Sequence, residues 1–267
     1  MKLMTVASSH RSALTDLVRS AAVMLFALVQ VVVAVFVGSG TAGEPIGDIA
    51  RRYATPLLAA GWAFAIWVPI YLGFLAYAVY QLLPGQRGRQ VHRETGWWLL
   101  VSAVCNAAWL LSFGAGLVPV AELLLIVLLV SLAVVFGRLS RLPAESVVER
   151  VVLRGTVAVY TGWVSLAVVL GTAATGAWIG LPGTGALAAI AAVVVLLAVT
   201  AIICWAVLAG TAVVGYAAAA VWAIAGVALN DPPAGVVVAG AIAIVAVLAT
   251  TTRRLTTAGN PRRAAWG

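Results

Sequence analysis

Charge is scarce in this 267-residue chain: Asp, Glu, Lys and Arg make up 9% of it, against about 25% in an average soluble domain. Eight acids and sixteen basic residues cannot cover the surface of a soluble protein of this length. Soluble enzymes, disordered chains and coiled coils are thereby excluded. Lysine is almost missing. Lys2 is the one lysine, so no retinal-type Schiff base can form within a membrane span. The two histidines, His10 and His92, sit beside arginines outside the expected spans, which leaves no imidazole inside a bundle to ligate haem iron. Cys105 and Cys204 both lie in apolar runs and build neither a disulfide framework nor a zinc site. No Ser/His/Asp set, metal-ligand cluster or phosphate-binding glycine loop occurs either. The chain reads as a non-enzyme that requires no cofactor and no metal.

What is present is apolar sequence. Hydrophobic residues make up 64% of the chain and its mean hydropathy is +1.11. At roughly 20 residues per span, this length holds about seven to nine membrane helices. The expected fold is therefore an all-α polytopic membrane bundle with the lipid bilayer as its first partner. Eight spans are expected, at 18–37, 57–83, 97–116, 119–137, 154–177, 184–204, 207–229 and 234–252. Gly, Pro or Arg punctuates most of the boundaries. The weakest break is the sixth, because residues 186–229 carry no charge and only Gly210-Thr211 signals a turn.

Basic residues decide the parity. The net charge of +8 is not a nucleic-acid footprint, because it is spread in short clusters between apolar runs. Lys2, Arg11 and Arg19 precede the first span; Arg87, Arg89 and Arg93 follow the second. Arg138, Arg141, Arg150 and Arg154 follow the fourth; Arg253, Arg254, Arg262 and Arg263 close the chain. With eight spans, fourteen of the sixteen basic residues fall on one side and only Arg51 and Arg52 on the other. Both termini are then cytoplasmic. The first apolar run is longer than a signal-peptide core and is expected to be a retained helix. The expected layout is a five-helix unit over 1–180, three further helices over 181–252 and a basic tail over 253–267. Small residues dominate the last third and allow close helix approach, so a homodimer or a larger assembly stays among the readings.

Ionisable groups inside a bilayer are costly and mark function. Glu122, near the start of the fourth span, is the one acid clearly within a span. It reads either as a cap on that helix's N-terminus, where the dipole favours negative charge, or as part of a polar site. The ten tryptophans say more. Trp97, Trp98, Trp178 and Trp266 fall near helix ends or in the tail, as an interfacial belt requires. Trp62, Trp67, Trp109 and Trp163 are expected deeper. Phe64, Trp67, Tyr71 and Phe74 share one helical face, as do Asn106, Trp109 and Phe113, and Tyr160 and Trp163. Counting from the helix ends puts Trp67, Asn106 and Trp163 at one depth. Such faces make either a plain aromatic core or an apolar small-molecule pocket with a few polar groups. Pro69 is expected to kink the second helix beside them.

Three stretches resemble the TspO/MBR family, the tryptophan-rich sensory proteins. They are Gly61-Trp62-Ala63-Phe64-Ala65-Ile66-Trp67-Val68-Pro69-Ile70-Tyr71, Asn106-Ala107-Ala108-Trp109 with Phe113-Gly114 and Glu122, and Tyr160-Thr161-Gly162-Trp163 with Ser165. Their order and spacing agree over about 18–178. The resemblance implies a five-helix fold that binds tetrapyrroles, sterols and similar ligands among its helices, under the first loop. Carried over by position, the ligand would meet Trp67, Tyr71, Asn106, Trp109, Tyr160 and Trp163, with Glu122 as a polar contributor. Two departures stand out. The family's loop tryptophans are missing from Ile49-Ala50-Arg51-Arg52-Tyr53-Ala54-Thr55-Pro56, which bears on any porphyrin-like ligand, held here without an axial histidine. The three added helices mark a longer bacterial form. The expected function is a receptor, sensor or carrier for a hydrophobic or amphipathic small molecule. A transporter of that ligand, or a subunit of a membrane complex, is the competing reading.

Overall fold

The computed structural model describes the backbone of residues 2–267 and the side chains of residues 13–267. The side chains of Lys2, His10 and Arg11 lie outside the described residues. Eight main helices follow in order: α1 (Lys2–Gly38), α2 (Trp67–Leu82), α3 (Gln90–Gly114), α4 (Val118–Arg141), α5 (Thr156–Trp178), α6 (Ala186–Ala209), α7 (Val213–Ala228) and α8 (Ala234–Thr257). No strand is present among the described residues. Among the described residues, seven stretches are long and apolar enough to cross a membrane; α7, with 16 residues, is a shorter apolar helix. The protein is a multi-pass membrane protein.

The first five helices close a ring in the spatial order α1, α2, α5, α4, α3. On α1, Val23, Ala27, Gln30 and Val37 are fully buried, a helical stripe facing the ring while the other faces meet lipid. The added helices close back on α5 only loosely, through α6. α7 packs along the outside of α5, α8 lies against α7, and α6 packs mainly on α8. Gly162 makes the α5–α7 approach close: a Cβ there would overlap the carbonyl oxygen of Tyr216. Ser165 Oγ and the Tyr216 hydroxyl, 3.2 Å apart, continue the seam.

The uncertain sixth break falls where Gly210-Thr211 signals it. Ala212 adopts a left-handed conformation (φ 58°) and starts α7. Thr211 N donates to Ser140 Oγ (3.1 Å) and Arg254 Nη2 to Gly210 O (3.2 Å), so this turn shares one end of the bundle with the end of α4 and the end of α8. The opposite turn of α7 lies at the other end, where Asn230 Nδ2 donates to Leu58 O (3.1 Å). The chain therefore alternates eight times.

The basic end holds two buried ion clusters that straddle the edges of the expected spans. Arg19, 1% exposed, bonds Asp16 at 2.7 Å and the Arg87 carbonyl at 2.6 Å, and Arg93 holds the same Asp16 from α3. Glu149 and Arg154, both fully interior, pair at 3.0 Å. Their five-residue spacing would put them on different faces of an α-helix. A π-helical turn over Glu149–Gly155 brings Arg154 back over Glu149, because that turn closes i to i+5. Arg89 adds a 2.6 Å contact to Glu149 from the α2–α3 connection. His92 belongs here too. It lies in the first turn of α3 rather than in a solvated segment, with no exposed surface, its ring centroid 5.8 Å from that of Tyr77 and 5.7 Å from that of Tyr80. Helix α3 starts earlier than hydropathy implies because Arg89 and Arg93 at its start find carboxylate partners in Glu149 and Asp16, while both ring nitrogens of His92 lack a protein partner.

Pro69, expected to kink the second helix, follows a change of helix type. The second span opens with a 3₁₀ turn, Gly61–Ile66, and the α-helix begins at Trp67. Pro69 thus sits in the first α turn, and the change from 3₁₀ to α falls at the carbonyls that its missing N–H would have engaged.

Candidate functional site

Aromatic faces from α2, α3 and α5 converge inside the five-helix ring. Trp67 is the hub. It stacks on Tyr71 (centroids 5.5 Å apart, planes 21°) and on Trp109 (5.4 Å, 29°). It meets Tyr160 and Trp163 edge-on at 5.7 and 6.2 Å. Trp109 stacks in turn on Phe113 at 6.1 Å, and Phe64 meets Trp163 edge-on at 5.9 Å. Each ring arrives because helical spacing puts it on the inward face: Tyr160, Trp163, Ala167 and Ala174 of α5 form one such stripe.

Above these rings lies a cavity walled by Phe64, Trp67, Trp109, Phe113 and Trp163 and by the small α5 positions Ala167, Gly171 and Ala174. The first loop roofs it with Ile46 and Ala50 of a short helix, Ile46–Arg52, and with Tyr53, Thr55 and Leu58. No Asp, Glu, Lys, Arg or His lines it. The roof is pinned at one end, where Glu44 N donates to Gly114 O at 2.8 Å. Gly43, at φ 103°, lies so close to that carbonyl that a Cβ would stand 2.5 Å from it. At the other end α7 holds the roof: Ala60 N donates to Gly226 O (2.8 Å) and Trp222 Nε1 to Ala63 O (2.8 Å). Trp62 is not deep; it is 44% exposed and meets Trp222 edge-on at 4.8 Å.

The six positions singled out by sequence thus divide. Trp67, Trp109 and Trp163 line the cavity; Tyr71, Asn106 and Tyr160 pack around the same ring cluster without lining it. Asn106 Nδ2 donates to the Tyr71 hydroxyl at 3.3 Å and to Gln30 Oε1 at 3.0 Å. Gln30 is the residue that sequence reasoning passed over. It is the only amide in the apolar run of α1 and falls on the buried stripe, which is the signal that finds it. Four polar atoms here have no protein partner: Gln30 Nε2, Asn106 Oδ1, the Tyr160 hydroxyl and Trp163 Nε1. Turning both amides over reverses the Gln30–Asn106 bond and still leaves one group on each unpaired.

Glu122 caps nothing. Its Oε1 accepts from Thr172 Oγ1 of α5 at 2.6 Å, and its Oε2, unpartnered, lies where a Cβ on Gly171 would be. The acid therefore bridges α4 and α5 immediately behind a glycine of the cavity wall.

The model of the TSPO-like protein family matches residues 19–252. The chain belongs to the TSPO-like family. No curated protein and no solved structure matches it. The TSPO-like match runs past the aromatic motifs and through α6, α7 and most of α8, so the added helices lie within the family unit. For a TSPO-like protein the arrangement is coherent: a hydrophobic, aromatic pocket in a membrane bundle, under a loop clamped from outside by α7.

Proposed function

We propose that this TSPO-like protein is a membrane receptor, sensor or carrier that binds a compact, flat, hydrophobic or amphipathic molecule in the aromatic cavity. The observation that carries the reading is the cavity itself. Aromatic rings from three helices enclose it, and the indole N–H of Trp163, 1% exposed, is left unpaired. A buried donor without a partner costs about 1–3 kcal/mol, which a ligand acceptor or a water recovers. The lining without an acid–base pair favours binding over turnover.

Size limits the occupant. The cavity holds about 60 Å³ of free volume, room for a few water-sized groups at roughly 10–15 Å³ each. A volume that small favours a compact occupant over a tetrapyrrole. A ligand of that size, or a sterol, enters only if the roof at 46–58 lifts, and a two-ended clamp of that roof suits a sensor that reports occupancy. On the charge rule the basic end faces the cytoplasm of a bacterial plasma membrane, with both termini there and the roof outside.

Tryptophan fluorescence tests the reading. Titration with a neutral polycyclic aromatic probe should quench saturably, and Ala174→Phe, which fills the cavity from α5, should abolish the saturable phase while the helical signal is retained. Equal quenching in both proteins would point to partition into detergent and defeat the assignment.

A further inference from the structure

A second cavity lies between α5 and α6. Its free volume is about 310 Å³, roughly five times that of the aromatic cavity, and the two share only Thr55. Ala173, Gly176 and Ala177 of α5 face Ala188, Ala191 and Val195 of α6 across it. Small residues on facing helices normally let the backbones touch. Here they stand apart for two reasons. The segment Thr55-Pro56-Leu57 lies in the gap at one end, with Leu57 4% exposed, and α6 packs chiefly on α8 rather than on α5. The gap is fixed by structure and not left by poor fit: Gly183, at the start of the α6 connection, sits so close to Ala54 O that a Cβ would stand 2.7 Å from it.

The cleft has two chemical ends. Its body is apolar and carries no charge; its one hydroxyl of α5, that of Thr172, is already given to Glu122. Through Thr55 and Pro56 it runs into a polar mouth of about 280 Å³ lined by Thr184, Asn230 and Asp231. The Asn230 amide is spent on Leu58 O. Asp231, held at a left-handed φ of 49°, makes no ion pair among the described residues. The mouth therefore presents one uncompensated negative charge at the end of an apolar slot.

We propose that this cleft binds one membrane amphiphile, with an apolar chain between α5 and α6 and an ammonium-bearing headgroup, of the ethanolamine phospholipid kind, against Asp231. The site is separate from the aromatic cavity and stands or falls apart from it. A lipid there fills the space that the Thr55–Leu57 wedge keeps open and braces the roof from outside.

The test uses the full chain in mild detergent, with the apparent affinity for phosphatidylethanolamine and for phosphatidylglycerol of matched chains read from lipid-dependent thermal stabilisation. The wild type should prefer the ethanolamine lipid by about threefold, the scale of one partly exposed ion pair. Asp231→Asn should erase that preference and keep binding. Ala188→Phe, which fills the cleft, should weaken both lipids by about tenfold while quenching by the aromatic probe persists. If Ala188→Phe does not fold, Ala191→Phe fills the same space. Equal stabilisation of wild type and cleft-filled protein by both lipids would mean a general lipid coat and overturn the proposal. A preference for the glycerol lipid, or one unaffected by Asp231→Asn, would overturn the headgroup assignment.

Discussion

Replacing Asn106 by leucine removes the side-chain hydrogen bonds that tie α3 to α1 and α2 in the middle of the ring. Its Nδ2 holds Gln30 Oε1 at 3.0 Å and the Tyr71 hydroxyl at 3.3 Å, and both Gln30 and Asn106 are fully buried. Hydrogen bonds between membrane helices are worth about 0.6 kcal/mol each on average. Losing two costs about 1.2 kcal/mol on that scale. The larger effect is on Gln30, whose Nε2 already lacks a partner and whose carbonyl would then lack one as well. A buried group left unsatisfied costs about 1–3 kcal/mol. Asn106→Leu should therefore destabilise the protein by about 1–3 kcal/mol, seen as a lower melting temperature by circular dichroism in detergent. The double variant Gln30→Leu/Asn106→Leu should recover much of the loss, because neither amide then remains unpaired. Because Asn106 does not line the cavity, affinity for a purely apolar probe should hold in the folded single variant. A single variant as stable as wild type, or a double variant less stable than the single, would refute the argument.

Three further outcomes follow from the packing. Glu149→Ala strands the interior guanidinium of Arg154 and should cost about 3–5 kcal/mol, whereas Glu149→Leu/Arg154→Met should be far milder; thermal melts of the three proteins compare them. Gly43→Ala combines a positive φ with a contact to the Gly114 carbonyl, so it should free the roof and speed ligand exchange, measured by stopped-flow quenching. A cysteine placed at Gly259 should resist an impermeant thiol reagent added outside intact cells, and labelling there would defeat the proposed orientation.

The span count, the basic-end parity and the aromatic convergence were legible because each rests on a regular pattern: apolar length, clustered arginines and 3-4 spacing. Even the faint Gly210-Thr211 signal marked a real turn. What escaped depends on partners far away in the chain. Glu122 looks like a cap until Thr172, fifty residues on, is seen beside it. Glu149 and Arg154 look like loop charges because their spacing fits only a π turn. Pro69 reads as a kink within one α-helix when the 3₁₀ turn before it is not in view, and Trp62 reads as core when the outer helix α7 that it meets is not in view. The cavity's small size was hidden for a related reason: spacing says which rings converge, not how tightly they stack.

Ligand affinity of Trp67→Ala and Trp163→Ala, measured by isothermal titration calorimetry with one neutral polycyclic aromatic probe, tests the aromatic cavity most directly. Each substitution removes a large ring from the wall and should weaken binding by about 1–3 kcal/mol, a loss of roughly fivefold to 150-fold, with the folded helical signal retained. Unchanged affinity in both variants would contradict the account and leave the rings as core alone.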